Sequence, residues 1–134
     1  MQRSYGVILV SDVTHITVLV ADDHPLVRET VRTLLAEMGI TVIGEAVDGI
    51  EANELAAELH PRVAILDVAM PRMGGLEAAK RIRRTEPETR LIMLSVYDEP
   101  QCIARAEQAG ACAYVVKRRL ATDLVPAVHA ACAA

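Results

Sequence analysis

The sequence predicts an α/β domain built on a parallel sheet with helices on both faces. Three observations carry this reading. Five short β-branched apolar runs recur along the chain, and each is followed by a stretch of helical periodicity. The connections between them are short throughout. The length of 134 residues suits one ordinary domain and leaves no room for a second.

The elements follow in order. Ile16 to Ala21 is a continuous apolar strand of the kind buried on both faces. After it Val27, Val31, Leu34, Leu35 and Met38 fall on one face of a helix, which Gly39 ends. Thr41 to Ala46 is the second strand. Asp48 then caps a helix, with Glu51 completing a capping box and Ala52, Leu55, Ala56 and Leu59 as the inward stripe, before Pro61. Val63 to Leu66 is the third strand and runs into Asp67. A loop with Pro71, Gly74 and Gly75 leads to a third helix, whose Leu76, Ala79 and Ile82 face inward and which ends before Pro87.

Leu91 to Leu94 is the fourth strand, ending at Ser95. An Ala-rich helix from about Glu99 to Ala109 closes on Gly110. Ala113 to Val116 is the fifth strand, ending at Lys117. A last helix starts near Thr122, which places Pro126 in or near its first turn, where a missing N–H is tolerated. Residues 1–15 lie outside this scheme as an N-terminal extension; within them Val7 to Val10 has strand character suited to edge pairing with a neighbouring chain.

Composition excludes several functions. Apolar residues make up 52% and charged residues 24%, which provides a core and argues against disorder or a coiled coil. A net charge of -4 lacks the basic footprint of a nucleic-acid binder. Three Tyr, without Phe or Trp, make no base-stacking platform and leave the core to aliphatic side chains. No apolar run reaches the roughly 18 residues of a membrane span. The apolar stretch near the N-terminus meets Asp12 too soon for a secretory signal of about 7 to 15 apolar residues. Cys102, Cys112 and Cys132 have no C-x-x-C spacing and read as buried small hydrophobes in a reducing compartment. A cytoplasmic location is expected, without membrane association. His15, His24, His60 and His129 are scattered without ligand spacing, so no transition metal is expected.

The polar residues that interrupt the apolar runs share one kind of place. Asp22 and Asp23 end the first strand, Asp67 the third, Ser95 the fourth and Lys117 the fifth. In an open α/β sheet these carboxyl ends share one edge, where ligands bind. Converging carboxylates repel and raise each other's pKa values, a problem that a hard divalent cation such as Mg²⁺ removes. A carboxylate beside Mg²⁺, a hydroxyl and an ammonium is equipment for accepting a phosphoryl group, with the carboxylate as nucleophile. Any one of these residues alone is a turn, a cap or a solvated charge. Five on four strand ends exceed what caps explain.

These residues carry a resemblance. Asp22-Asp23, Leu66-Asp67 with Met70-Pro71 and Gly74-Gly75, Ser95, and Gly110-Ala111 before Tyr114-Val115-Val116-Lys117 resemble a bacterial response-regulator receiver domain. The run from Val20 to Arg28 is similar to the NarL/FixJ (LuxR-type) subfamily. The resemblance covers about residues 16 to 133, within a receiver unit drawn from 16 to 134. It implies a flavodoxin-like, doubly wound five-stranded sheet of order 2-1-3-4-5 with five helices. It further implies that a sensor histidine kinase phosphorylates Asp67. Asp23 and Asp67 would bind Mg²⁺ directly with the main-chain carbonyl of Ala69, and Asp22 through water. Ser95 and Tyr114 match the family's switch pair, and Lys117 its phosphate-contacting lysine. Homodimer formation is implied as output, with DNA reached only through an effector domain that this chain does not carry.

Other classes fit less well. A phosphatase with an aspartate nucleophile needs a second acid two residues on, where Ala69 stands. A phosphorylation-independent pseudo-receiver does not need the full set of five residues. A flavin or dinucleotide module lacks G-x-G-x-x-G after the first strand. Arg118-Arg119 is more basic than the family leads one to expect and reads as solvated charge before a helix. Arg81, Arg83 and Arg84 complement the dipole at the end of the third helix.

Overall fold

The computed structural model describes residues 16–133; the extension 1–15, with its Val7 to Val10 run, and Ala134 lie outside the described residues. Five parallel strands form one sheet in the order β2-β1-β3-β4-β5. They are β1 (Thr17–Ala21), β2 (Thr41–Ala46), β3 (Val63–Asp67), β4 (Arg90–Ser95) and β5 (Ala113–Val116). Five α-helices alternate with them: α1 (Pro25–Ala36), α2 (Gly49–Leu59), α3 (Gly75–Thr85), α4 (Pro100–Gln108) and α5 (Leu120–Ala133). The order reverses between β1 and β3, so the crevice of the sheet opens at their carboxyl ends.

Alternation along the strands divides the core in two. Val18, Val20, Ile65, Ile92 and Leu94 pack with Val31 and Leu35 of α1 and Leu124 and Val128 of α5. Leu19, Leu66 and Met93 pack on the other face with Ala52, Ala56, Ala78, Ala79, Ile82 and Ala106 of α2, α3 and α4. The small alanines of that second layer let three helices lie close to the sheet. A bulge in β2, where Ile43 is skipped between the partners of Val18 and Leu19, is the one irregularity in the strand pairing among the described residues.

Several local expectations change. Met38 is 49% exposed, because α1 stops at Ala36 and Gly39, at φ +74°, turns the chain so that Ile40 enters the core instead. The capping box at Asp48 is offset by one residue. Asp48 accepts from the Glu51 N–H as expected, but the Glu51 carboxylate takes the N–H of Val47. The last helix begins at Leu120 after a 3₁₀ turn over Lys117–Arg119, so Pro126 is its seventh residue and lies beyond the first turn. Pro126 and Thr122 are both exposed, so the carbonyl that loses its helical partner faces solvent, which limits the cost. Cys112 is exposed in the turn before β5, and Cys102 and Cys132 are only half-buried, Cys132 against the margin of the core. No helix among the described residues is long and apolar enough to cross a membrane.

Candidate functional site

Every strand end named from the sequence delivers its residue to the same edge. Asp22 follows β1 and is fully buried, its own N–H bonded to the Ala46 carbonyl at 3.0 Å. Asp67 is the last residue of β3 and is buried. Its loop is fastened from several sides. The Val68 N–H donates to Leu94 O at 3.0 Å, and the Gly75 N–H to Val68 O at 3.0 Å. Gly74-Gly75 is required here because the loop doubles back on itself: a Cβ on Gly75 would stand 2.1 Å from the Asp67 carbonyl oxygen.

Two residues that the sequence reading did not single out also hold this loop. Arg72 adopts a left-handed φ of +64° and its guanidinium donates to Asp48 at 2.6 Å. The N–H of Glu51, and then that ion pair, hold the Asp48 carboxyl below the ordinary carboxylate range. The Gly49 N–H adds a bond to Met73 O at 2.8 Å, joining the loop to α2. Nothing in the spacing of the sequence marks Arg72; only the position of the loop over α2 does.

The charges converge around Lys117. Its Nζ lies 2.7 Å from Asp22 Oδ2 and 3.3 Å from Asp67 Oδ2. The contact with Asp22 is a close ion pair with a fully buried carboxylate. Burial, and then the Asp22 charge, push the Asp67 carboxyl above its ordinary value, against the opposing pull of Lys117. Burial works against the Lys117 ammonium, but Asp22 and Asp67 outweigh it and raise its pKa. Asp23 is exposed, at the open side of the cluster.

His24 belongs to this group as well, although it has no ligand spacing in the sequence. Its N–H donates to Asp22 Oδ1 at 2.8 Å, and its Nδ1 lies 3.1 Å from Asp22 Oδ1 and 3.2 Å from Asp23 Oδ1. One donor atom from each of Asp22, Asp23, His24 and Asp67 falls within 4.8 Å of the others. Three carboxylates this close fit a small, hard cation, which would offset the charge that Lys117 alone leaves unbalanced. Ala69 stands in the loop after Asp67, its N–H 3.4 Å from Asp67 Oδ1.

Ser95 and Tyr114 lie on neighbouring strands and meet at the loop after β4. The buried Ser95 Oγ accepts from the Tyr97 N–H at 3.1 Å, and the half-buried Tyr114 hydroxyl donates to Tyr97 O at 2.8 Å. Burial raises the Tyr114 pKa. The small space between Ser95 and Tyr114 is lined also by Val68, Leu76, Cys102 and Arg105. Arg118 is paired with Asp98 at 2.6 Å and Arg119 with Asp123 at 2.9 Å, both pairs on the solvent-exposed surface. On the α1 side, Arg28 donates to Asp22 O at 2.6 Å and to Glu45 at 3.1 Å, bracing the first strand end from outside.

Comparison with known proteins agrees with this geometry. The profile of the response regulator receiver domain matches residues 18–129. The transcriptional regulatory protein YxjL of Bacillus subtilis is 41% identical over 117 residues, covering 87% of this chain and 54% of the relative. The signal receiver domain of the response regulator NarL from Mycobacterium tuberculosis superposes with a TM-score of 0.83 at 40% identity, covering 88% of this chain and 96% of that one. A LuxR-family two-component response regulator from Aurantimonas gives 0.83 at 34% identity, covering 87% and 84%. The chain spans about half the length of the curated relatives it matches. Aligned strand ends, an acidic cluster pinned by one lysine and these likenesses lead to one conclusion: the chain belongs to the receiver domains of two-component response regulators, in the NarL/FixJ, LuxR-type branch.

Proposed function

We propose that this chain accepts a phosphoryl group on Asp67 from a sensor histidine kinase, in a Mg²⁺-dependent reaction, and that the modification alters protein association and through it transcription. The observation that carries the reading is the placing of Asp67 at 3.3 Å from Lys117 and beside Asp22 and Asp23. In the step, an Asp67 carboxylate oxygen attacks the phosphorus of a phosphohistidine, the P–N bond breaks, and the imidazole leaves and takes up a proton. Lys117 meets charge on the phosphoryl oxygens, and the Ser95 hydroxyl donates to one of them. Asp23, Asp67 and the Ala69 carbonyl would hold Mg²⁺, with Asp22 acting through water; the bound ion would neutralise charge on those same oxygens.

Catalysis is limited on this reading to self-phosphorylation and slow hydrolysis of the acyl phosphate. Ser95 and Tyr114 form the switch. The receiver unit runs over 16–134 with 1–15 as an extension, works in the cytoplasm and pairs with a second copy. DNA is reached only through an effector domain outside this sequence. The test is incubation with a small phosphodonor and Mg²⁺, followed by intact mass. One phosphoryl mass should appear on the wild type and none on Asp67→Asn. Undiminished labelling of Asp67→Asn would refute the assignment, and deletion of 1–15 should leave labelling intact.

A further inference from the structure

Phosphoryl acceptance makes no use of Arg118 or Asp98, yet the two meet across the edge of the site. Between the end of β4 and the start of α4, residues 96–99 have no regular structure. Val96 and Tyr97 are 62% and 56% exposed, so little apolar burial pins this segment. Beyond the Glu99 carbonyl, which caps α4, three side-chain contacts among the described residues hold it: the Tyr97 N–H on Ser95 Oγ, the Tyr114 hydroxyl on Tyr97 O, and the Arg118 guanidinium on Asp98 Oδ2 at 2.6 Å. The second reaches across to β5 itself, and the third to the turn just after it, beside Lys117. Arg118 follows Lys117 in the 3₁₀ turn, and Lys117 is itself anchored on Asp22 and Asp67. The pair therefore ties the loop after Ser95 to the fixed side of the site.

In this arrangement the Ser95 hydroxyl is committed to its own loop. The hydroxyl can donate while it accepts, but carrying its oxygen toward Asp67 draws it away from the Tyr97 N–H unless the loop follows, so the loop's hold on Tyr97 sets where Ser95 can reach. We propose that Asp98 and Arg118 are positioning residues for Ser95: their ion pair clasps the 96–98 segment in the conformation in which Ser95 serves Tyr97, and its release favours the conformation in which Ser95 serves a phosphoryl group. The proposal rests on the reading of Asp67 as phosphoacceptor. Arg118 holds the Asp98 carboxyl below its ordinary value, so the clasp is charged at neutral pH. Both partners are solvent-exposed, which sets the scale: an exposed pair shifts an equilibrium by a factor of about two to five at most.

The experiment compares wild type, Arg118→Ala, Arg118→Lys and the charge swap Asp98→Arg with Arg118→Asp. Two quantities are read: affinity for beryllofluoride in Mg²⁺, and hydrogen exchange at the Tyr97 amide with neither present. Arg118→Ala should bind beryllofluoride about two- to fivefold more tightly and speed Tyr97 exchange by a similar factor. Arg118→Lys and the swap should return both toward wild type, which a purely steric role of Arg118 would not do. Near 1 M salt the wild type should approach Arg118→Ala, because the pair is screened. Unchanged Tyr97 exchange in Arg118→Ala, or a swap indistinguishable from it, overturns the clasp. Should the wild type fail to bind beryllofluoride, the phosphoacceptor reading falls, while the exchange measurement still decides the clasp.

Discussion

Lys117 stands closer to Asp22 than to Asp67, at 2.7 Å against 3.3 Å. Its charge is thus shared, and Asp67 is left with less compensation than a dedicated partner would supply. That is why burial and the Asp22 charge prevail and the Asp67 carboxyl titrates above its ordinary value. A buried carboxylate in this position is held against its preference by the fold.

Asp67→Asn should accordingly stabilise the protein at neutral pH and raise its Tm. Lys117 keeps Asp22 as its partner in that variant. The sign with pH follows from the raised pKa. The folded state binds a proton at Asp67 more readily than the unfolded state, so the wild type loses this stability as pH rises through the folded-state pKa. The advantage of Asp67→Asn should shrink as pH falls from neutral through that raised value towards the ordinary carboxylate range near 3.8. Thermal melts of both proteins across the acid range check it, and a variant less stable at pH 7 would contradict the account.

Gly75→Ala should damage the site from outside it. The added Cβ would meet the Asp67 carbonyl oxygen at 2.1 Å and its carbon at 2.8 Å, both of them backbone atoms that cannot swing aside. The start of α3 or the end of β3 must then move, at a cost of about 2 kcal/mol or more. Chemical denaturation should show the loss, and labelling of Asp67 by a small phosphodonor should fall with it. By contrast Gly39→Ala meets no atom within 4 Å, and only its φ of +74° opposes the change.

Much of this was legible in the sequence because the polar interruptions of the apolar runs coincide with strand ends. Asp22, Asp67, Ser95 and Lys117 could be placed on one sheet edge without any coordinates, and the structure gathers them there. What could not be read depends on contacts between distant segments. Arg72 with Asp48 and Arg118 with Asp98 are separated by 24 and 20 positions, and no periodicity links them. His24 escaped notice for a different reason: its role comes from its main-chain N–H and a local turn onto Asp22, not from ligand spacing. Met38 and Pro126 were misplaced where a helix end shifted by two residues. Helix ends are set by competing caps, which sequence patterns locate less sharply than helix faces.

Mg²⁺ should raise the Tm of the wild type, because a ligand that binds the folded state alone stabilises it by mass action. Asp23→Ala should remove most of that rise. Asp23 is exposed at the open side of the cluster and makes no contact that the fold depends on apart from His24, so its loss falls on binding. Ser95→Ala should leave the rise nearly intact, since its hydroxyl is engaged with Tyr97. Melts over a Mg²⁺ titration distinguish the two, and equal losses would mean that the ion is held elsewhere.

Association is the last consequence. On the proposed reading, Ser95 drawn toward a phosphoryl group on Asp67 would leave the Tyr97 N–H and the loop carrying the Tyr97 carbonyl would shift. The Tyr114 hydroxyl then loses its partner at 2.8 Å, and the ring can turn inward beside Ser95, where Val68 and Leu76 line the space. One hydrogen bond and one ring rotation amount to a few kcal/mol at most, so the two arrangements exchange populations rather than lock. The surface of α4, β5 and α5 would change with Tyr97, which is 56% exposed in this conformation. Beryllofluoride with Mg²⁺ should therefore shift the sedimentation of the wild type toward a dimer, formed through this face or through α1 and α5. Tyr114→Ala should bind the mimic but respond less. If the mimic binds the wild type and its sedimentation does not change, the switch does not drive self-association in this chain.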